Sequence, residues 1–314
     1  MKELLKKLLP LLGFLFLFVL LSILSPYFLT LENLSSVARQ TAVINIIAIG
    51  MTLVIIAGGI DLSVGSILAF SGICGTLLME RGLGPVPATF AGIVAGLLCG
   101  SLNGLVITQF RVPPFIATLG SLGMIRGLTL LVTNGIPITD VPNEFGRLGD
   151  GNLLYWIPVP LCILVVVALL MAYILRYTRL GRYAYAIGGN RESAYLSGIN
   201  LTFNTLVVYT ILGALTGLAG MIEASRLVTG QPTAGEGYEL RVIAAVVIGG
   251  GSLSGGQGTV LGTTIGAFVM SLLSNGCNLL GISPFIQQIL IGSIIVLAVA
   301  ADEYRRRLLG ATRT

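Results

Sequence analysis

The chain has 314 residues, 55% hydrophobic and 10% charged, with a net charge of +5 and a mean hydropathy of +0.95. A soluble domain carries about a quarter charged residues, so this composition excludes a water-exposed globule and, with it, the soluble basic face a nucleic-acid binder needs. What fits is an all-α polytopic membrane protein, with the lipid bilayer as its main surroundings.

The chain lacks histidine, which removes His-based catalysis, metal ligation and proton relays. Its cysteines, Cys74, Cys99, Cys162 and Cys277, stand singly in apolar runs without disulfide or metal spacing. No cofactor or metal is expected.

The opening MKELLKKLLPLLGFLFLFVLLSILSPYF has the charged start of a secretory signal but no small-x-small cleavage site, and reads as an uncleaved first span. Apolar stretches follow near 41–59, 63–79, 86–107, 114–133, 156–175, 205–224, 241–250, 258–280 and 285–300. With the first, near 8–25, they predict eight to ten crossings of a bilayer core about 30 Å thick. Tyr155 and Trp156, opening a span after a polar loop, fit an interfacial anchor. With the N-terminus inside and ten crossings, 12 of the 18 lysines and arginines fall inside, 5 outside, and Arg126 within a span. That bias predicts cytoplasmic termini.

Within the first apolar region, residues 58–65 read G-G-I-D-L-S-V-G, and residues 249–256 read G-G-G-S-L-S-G-G. Both follow an apolar run and share G-G-x-x-L-S-x-G. Downstream, Asn103-Gly104 is answered by Asn275-Gly276, and Pro114-Phe115-Ile116 by Pro284-Phe285-Ile286. The order predicts two related halves, 41–133 and 232–300, joined through a polar stretch at 176–204. Transporters built this way place their substrate path where helices break. The expected breaks are Gly58, Gly59 and Gly65 in one half and Gly249, Gly250 and Gly256 in the other. Forty-two glycines also permit close helix packing in lipid, and that accounts for most of them.

Candidate path residues are Asp61, Ser63, Asn45, Asn103, Phe115, Asn275, Ser252 and Ser254. Asp61 either accepts hydrogen bonds from a substrate or caps the helix that starts near Ser63. Arg126 and Glu223 are the other ionisable groups at membrane depth, where a charge is costly and usually functional or paired. Arg126 is expected to neutralise one of the carboxylates. Outside, the loop 134–155 sets Asp140, Glu144 and Asp150 against Arg147, and 225–240 carries Glu236 and Glu239. These loops either dock a partner or are simply solvated.

In the polar stretch, Asn190 is a helix cap, residues 191–197 a two-turn helix, and Gly198 its C-terminal stop. Ala194, Tyr195 and Leu196 are available there for a partner.

The stretch VIGGGSLSGGQGTVLG contains Leu253-Ser254-Gly255-Gly256-Gln257, the letters of the ATPase signature LSGGQ. That signature works only beside a phosphate-binding loop with its lysine. The last lysine of the chain is Lys7, so residues 8–314 hold no such loop. The chain does not hydrolyse ATP through these letters.

The stretches GMTLVIIAGGIDLSVGSILAFSG, TRLGRYAYAIGGNRESAYLSGIN, QPTAGEGYELRVIAAVVIGGGSLSGGQGTVLG and NGCNLLGISPFIQQI together resemble the inner-membrane permease subunit of ribose-type ABC sugar importers. The resemblance covers nearly the whole chain in order. It implies a permease that is not itself an enzyme, paired with a second permease copy or homologue. It also implies a periplasmic sugar-binding protein as feeder and a separate cytoplasmic ATPase subunit as motor. In that family a short cytoplasmic helix docks on the ATPase. Here that role falls to 188–199, with Gly188, Gly189, Asn190, Ala194, Leu196 and Gly198. The competing readings are an ion-coupled secondary transporter working through Asp61 and Glu223, and the same importer type carrying a non-sugar or sugar-like signalling substrate.

Overall fold

The computed structural model describes residues 2–153 and 157–310, and all their side chains except those of 2–9, 298 and 301–310. The expected anchors Tyr155 and Trp156 lie outside the described residues. In chain order come α1 (Lys2–Leu24), α2 (Leu31–Ile56), α3 (Val64–Glu80), α4 (Pro85–Gln109) and α5 (Pro114–Thr133). A single 3-10 turn, Asn143–Phe145, leads into α6 (Gly146–Asp150) and a short antiparallel hairpin of β1 (Asn152–Leu153) and β2 (Ile157–Pro158). Then follow α7 (Val159–Tyr177), α8 (Arg179–Gly189), α9 (Arg191–Leu196), α10 (Leu201–Leu227), α11 (Tyr238–Ile248), α12 (Val260–Leu279) and α13 (Pro284–Gly310).

Each of the ten expected apolar stretches becomes one helix. Six of them (α2, α4, α5, α7, α10 and α12) are long and apolar enough to cross a bilayer alone. By contrast α11, with 11 residues, spans only about 16 Å, little more than half of a bilayer core. The helix starts carry their own signals. Thr30, Thr178, Asn190, Asn200 and Thr259 accept a backbone N–H from the first turn of α2, α8, α9, α10 and α12. Proline sits in the first two positions of α4, α5 and α7, where its missing N–H costs nothing.

The core is built around α2, whose residues 41–56 are all buried. Helices α7, α8, α10, α11 and α12 surround it. The most extensive helix pair is α4 on α10, and the sequence shows why. Gly92, Gly96, Gly100 and Gly104 recur every fourth residue and place one bare stripe against Gly213, Gly217 and Met221. A Cβ on Gly96 would stand 2.6 Å from the Gly213 carbonyl oxygen, and one on Gly100 would stand 2.8 Å from the Gly213 Cα. Only glycine allows two backbones this close, and dispersion across that contact holds helices together where lipid removes the hydrophobic drive.

The helices recur at spacings of 170 to 175 residues: α2 and α10 start at Leu31 and Leu201 (201 − 31 = 170), α3 and α11 at Val64 and Tyr238 (238 − 64 = 174), α4 and α12 at Pro85 and Val260 (260 − 85 = 175), and α5 and α13 at Pro114 and Pro284 (284 − 114 = 170). Their packing recurs too, with α4 on α10 matched by α12 on α2, α3 on α10 by α11 on α2, and α3 on α5 by α11 on α13. The two G-G-x-x-L-S-x-G stretches do not follow that register, since 249 − 58 = 191. One follows α2 and the other follows α11, so they are not corresponding breaks. Their likeness has a local cause. Gly58 (φ +79°) and Gly250 (φ +89°) both end a helix in the left-handed conformation. In each case the next glycine bonds back to a carbonyl five residues earlier, Gly59 to Val54 and Gly251 to Val246. Two helices that stop by the same device are written with the same letters.

Candidate functional site

Three of the candidate path residues form one buried knot at the start of α3. Asp61 Oδ1 accepts from the Ser63 backbone N–H at 2.8 Å and from Ser63 Oγ at 2.6 Å. Asn103, on α4, donates through Nδ2 to Ser63 Oγ at 2.8 Å and to Asp61 Oδ2 at 3.2 Å. The knot is closed from α5, where Ser121 donates to Asn103 Oδ1 at 2.5 Å. Asp61 is 0% exposed, and its acceptors are taken by its own chain. Its bond to the Ser63 N–H is a turn that leads into α3, whose cap residue Ser63 makes no side-chain cap bond of its own, so Asp61 is paired structurally and is not itself the cap. Around the knot, Thr118 of α5 and Tyr209 of α10 both reach the Ile60 carbonyl, at 3.4 and 3.2 Å. An added Cβ on Gly59 would fall 3.3 Å from the Tyr209 ring.

The other candidates lie elsewhere. Asn45 is buried in α2, donating at 3.4 Å to the Thr264 carbonyl of α12. Asn275 exchanges amide hydrogen bonds with Asn33 at 2.7 and 3.2 Å, between α12 and the start of α2. Phe115 is exposed at the first turn of α5. Ser252 is buried and Ser254 exposed in the turn after α11. Gly65 begins α3 against the Gly235 carbonyl, and Gly249 packs on the Gly262 backbone of α12.

The two deep charges correct the expected pairing. Arg126 does not neutralise a carboxylate at hydrogen-bond distance. It donates to the Pro232 and Ala234 carbonyls at 2.6 and 2.9 Å. Glu223 is bridged instead by Arg226, one turn on, at 2.9 Å. Outside the spans, Asp150 pairs with Arg39 at 3.3 Å and not with Arg147. The helix α6 that carries it is seated on the end of α10, where Ser225 accepts from Gly149 N–H at 2.8 Å and donates to the Phe145 carbonyl.

The polar stretch folds as the caps predict. Asn190 Oδ1 accepts from Ser193 N–H at 2.9 Å, α9 runs to Leu196, and Gly198 (φ +79°) stops it, with Ile199 N–H bonded back to Ala194 at 3.1 Å. Tyr195 and Leu196 are 67% and 77% exposed. Ala194 is not available to a partner, because at 3% exposure it faces its own chain.

Helix α8 then meets both glycine-rich turns. Gly256 N–H donates to the Ile56 carbonyl at 2.9 Å, satisfying an acceptor that the end of α2 leaves open. Gly188 rests on the same junction: a Cβ there would strike the Ile56 carbonyl oxygen and fall 2.6 Å from Gly256 N. Tyr185 donates to the Gly258 carbonyl at 2.7 Å. Gly189, beside it, approaches Gly256. The LSGGQ letters thus form a turn that plugs the end of α2 and carries α8.

Sequence reasoning missed Ser121, Thr118 and Tyr209, since hydroxyls on apolar helices carry no spacing signal. It also missed a face of α5. Gly120, Gly123 and Gly127 are exposed with open space around them, while Thr118, Ser121 and Arg126 of the same helix are tied inward. The Gly123-x3-Gly127 spacing was the available sign.

Known proteins agree with this architecture. Residues 33–299 match the family model described as branched-chain amino acid transport system / permease component. The ribose import permease protein of Escherichia coli K12 is 44% identical over 300 residues, 94% of this chain and 93% of that one. That of Bacillus subtilis 168 is 46% identical over 299 residues, 95% of this chain and 92% of that one. The D-allose transport system permease protein of E. coli K12 is 38% identical over 281 residues, 89% and 86% of the two chains. No solved structure matches the chain significantly. With a full-length match of this depth on a ten-helix apolar scaffold, the chain belongs to the family of ribose-type permease subunits of ABC importers.

Proposed function

We propose that this chain forms the membrane path of an importer for a monosaccharide, ribose in the first instance. Transport is driven by a separate ATPase subunit and supplied by a periplasmic binding protein. The observation that carries this reading is the 44% identity to a ribose import permease across 94% of the chain. The termini and α9 lie in the cytoplasm, as the 12-to-5 distribution of lysine and arginine favours. The exposed Tyr195–Leu196 tip of α9 is the surface offered to the ATPase. Through α8 and Gly188, that tip bears on the junction of Ile56 and Gly256, so motion at α9 reaches the end of α2.

The path runs along the open face of α5, over Phe115, Gly120, Gly123 and Gly127, opposite a second copy of the chain. The knot of Asp61, Ser63, Asn103 and Ser121 braces α5 from behind and does not itself touch sugar. In liposomes, ribose uptake is expected only when the chain is reconstituted with its ATPase and binding protein and given ATP. Uptake by the chain alone under an ion gradient would refute the reading. The family description names branched-chain amino acids, so competition by leucine, D-allose and L-arabinose is measured in the same assay. Displacement of ribose by leucine but not by the sugars would replace the substrate class.

A further inference from the structure

Residues 228–237, between α10 and α11, do not lie on the surface as an ordinary connection. At one end Gly230 pairs with Ile138 through two backbone hydrogen bonds, 2.8 and 2.9 Å, and rests on Thr76 and Ile73 of α3. At the other end Gly235 (φ +71°) abuts Gly65 and Leu68. The segment therefore descends along α3 from Thr76 to Gly65, 11 residues or about 16 Å of helix. Its exit is α11, the half-length helix.

The opposite side of the segment is closed by α5 through one side chain. Arg126 directs Nη1 to the Pro232 carbonyl at 2.6 Å and Nη2 to the Ala234 carbonyl at 2.9 Å. Two carbonyls two residues apart match the fixed fork of a guanidinium, which a lysine cannot reproduce. The charges acting on it from the same segment and the start of α11 are Glu236 and Glu239. An arginine in an apolar helix is costly, and among the described residues it makes no ion pair within 4 Å. Its position is accounted for by this fork.

We infer that Arg126 is a positioning residue that latches the 228–237 segment to α5, so that the segment and the helix move as one body. An event at Glu236 on the outer side then reaches the path helix without passing through the core. The inference rests on the placement of the path along α5, and the test keeps the two apart.

The complete transporter is reconstituted with its ATPase and binding protein, carrying Arg126→Gln, Arg126→Lys or Gly123→Leu. Three quantities are read: ribose uptake, stimulation of ATP hydrolysis by ribose-loaded binding protein, and amide exchange across the chain. In Arg126→Gln, exchange at 228–237 should rise about a hundredfold, about tenfold for each of the two charge-assisted hydrogen bonds lost. Exchange in α2 and α4 should stay unchanged. Stimulation by the binding protein should vanish while basal hydrolysis persists. Arg126→Lys, which keeps one carbonyl, should fall between.

Unchanged exchange at 228–237, or a loosened segment with wild-type stimulation, overturns the latch. If exchange rises throughout Arg126→Gln, the lysine variant decides: intermediate values support the latch and wild-type values overturn it. Wild-type uptake in Gly123→Leu overturns the α5 path alone, leaving the exchange and stimulation results to judge the latch.

Discussion

Asp61 shows how far one residue's letters carry and where they stop. A carboxylate after a Gly-Gly break and before an apolar run satisfied both a cap and a sugar ligand on paper. Burial and two bonds to Ser63 show a structurally paired carboxylate in the turn before α3 and not a cap. Asp61→Ala, which leaves the buried Ser63 N–H and Asn103 amide short of an acceptor, should therefore lower stability by about 1–3 kcal/mol, read as an earlier thermal transition in detergent. Asp61→Asn, which keeps an acceptor at the same place, should leave the KM for ribose unchanged; a KM that moves with Asn would return Asp61 to the path. Tyr195 and Leu196 are the matching case at the cytoplasmic end. Asp at either should abolish association with the ATPase in a pull-down from detergent, whereas Ala194→Asp should instead unfold the α8–α9 region. The cap of α9 and its stop at Gly198 were legible because both are local rules of one turn. The inward aim of Ala194 was not, since it depends on what the rest of the chain, α8 first, brings to that side.

At the level of elements, the ten helices were readable from hydropathy alone, but what joins them was only half so. Glycines look alike in the sequence, yet their surroundings divide them sharply. A Cβ on Gly96 meets the α10 backbone, while one on Gly123 meets nothing. Gly96→Leu should thus prevent folding, seen as loss of a monodisperse species. Gly123→Leu should fold and fail only in pairing or transport. A second contrast separates the two turns once taken as a pair. Gly59→Ala drives a methyl against Tyr209, and should cost more than the strain of about 1 kcal/mol that Gly250→Ala incurs at positive φ in open space. Equal thermal shifts for the two would contradict this. The shared G-G-x-x-L-S-x-G reported a common way of ending a helix, and the repeat register had to be read from helix starts 170 to 175 residues apart.

Taken whole, the molecule sets α2, the most buried spanning helix among the described residues, early in the chain and most of that helix's neighbours late. Residues 41–56 of α2 are shielded by α7, α8, α10, α11 and α12, all of which follow it by 100 residues or more (159 − 56 = 103). During synthesis this means that Asn45 and Thr52 enter the bilayer long before Thr264 and Thr263 exist to meet them. The nascent chain has to hold an unpacked helix, with Asn45 still lacking its α12 partner, in lipid or at the insertion machinery until the second half is made. A protein cut after residue 258 would leave α2 with its α12 face open, and should be removed by membrane proteases, while co-expression of residues 259–314 as a separate piece should restore it. The order of assembly is thus a biosynthetic constraint, one that falls on the timing of insertion and not on the finished fold.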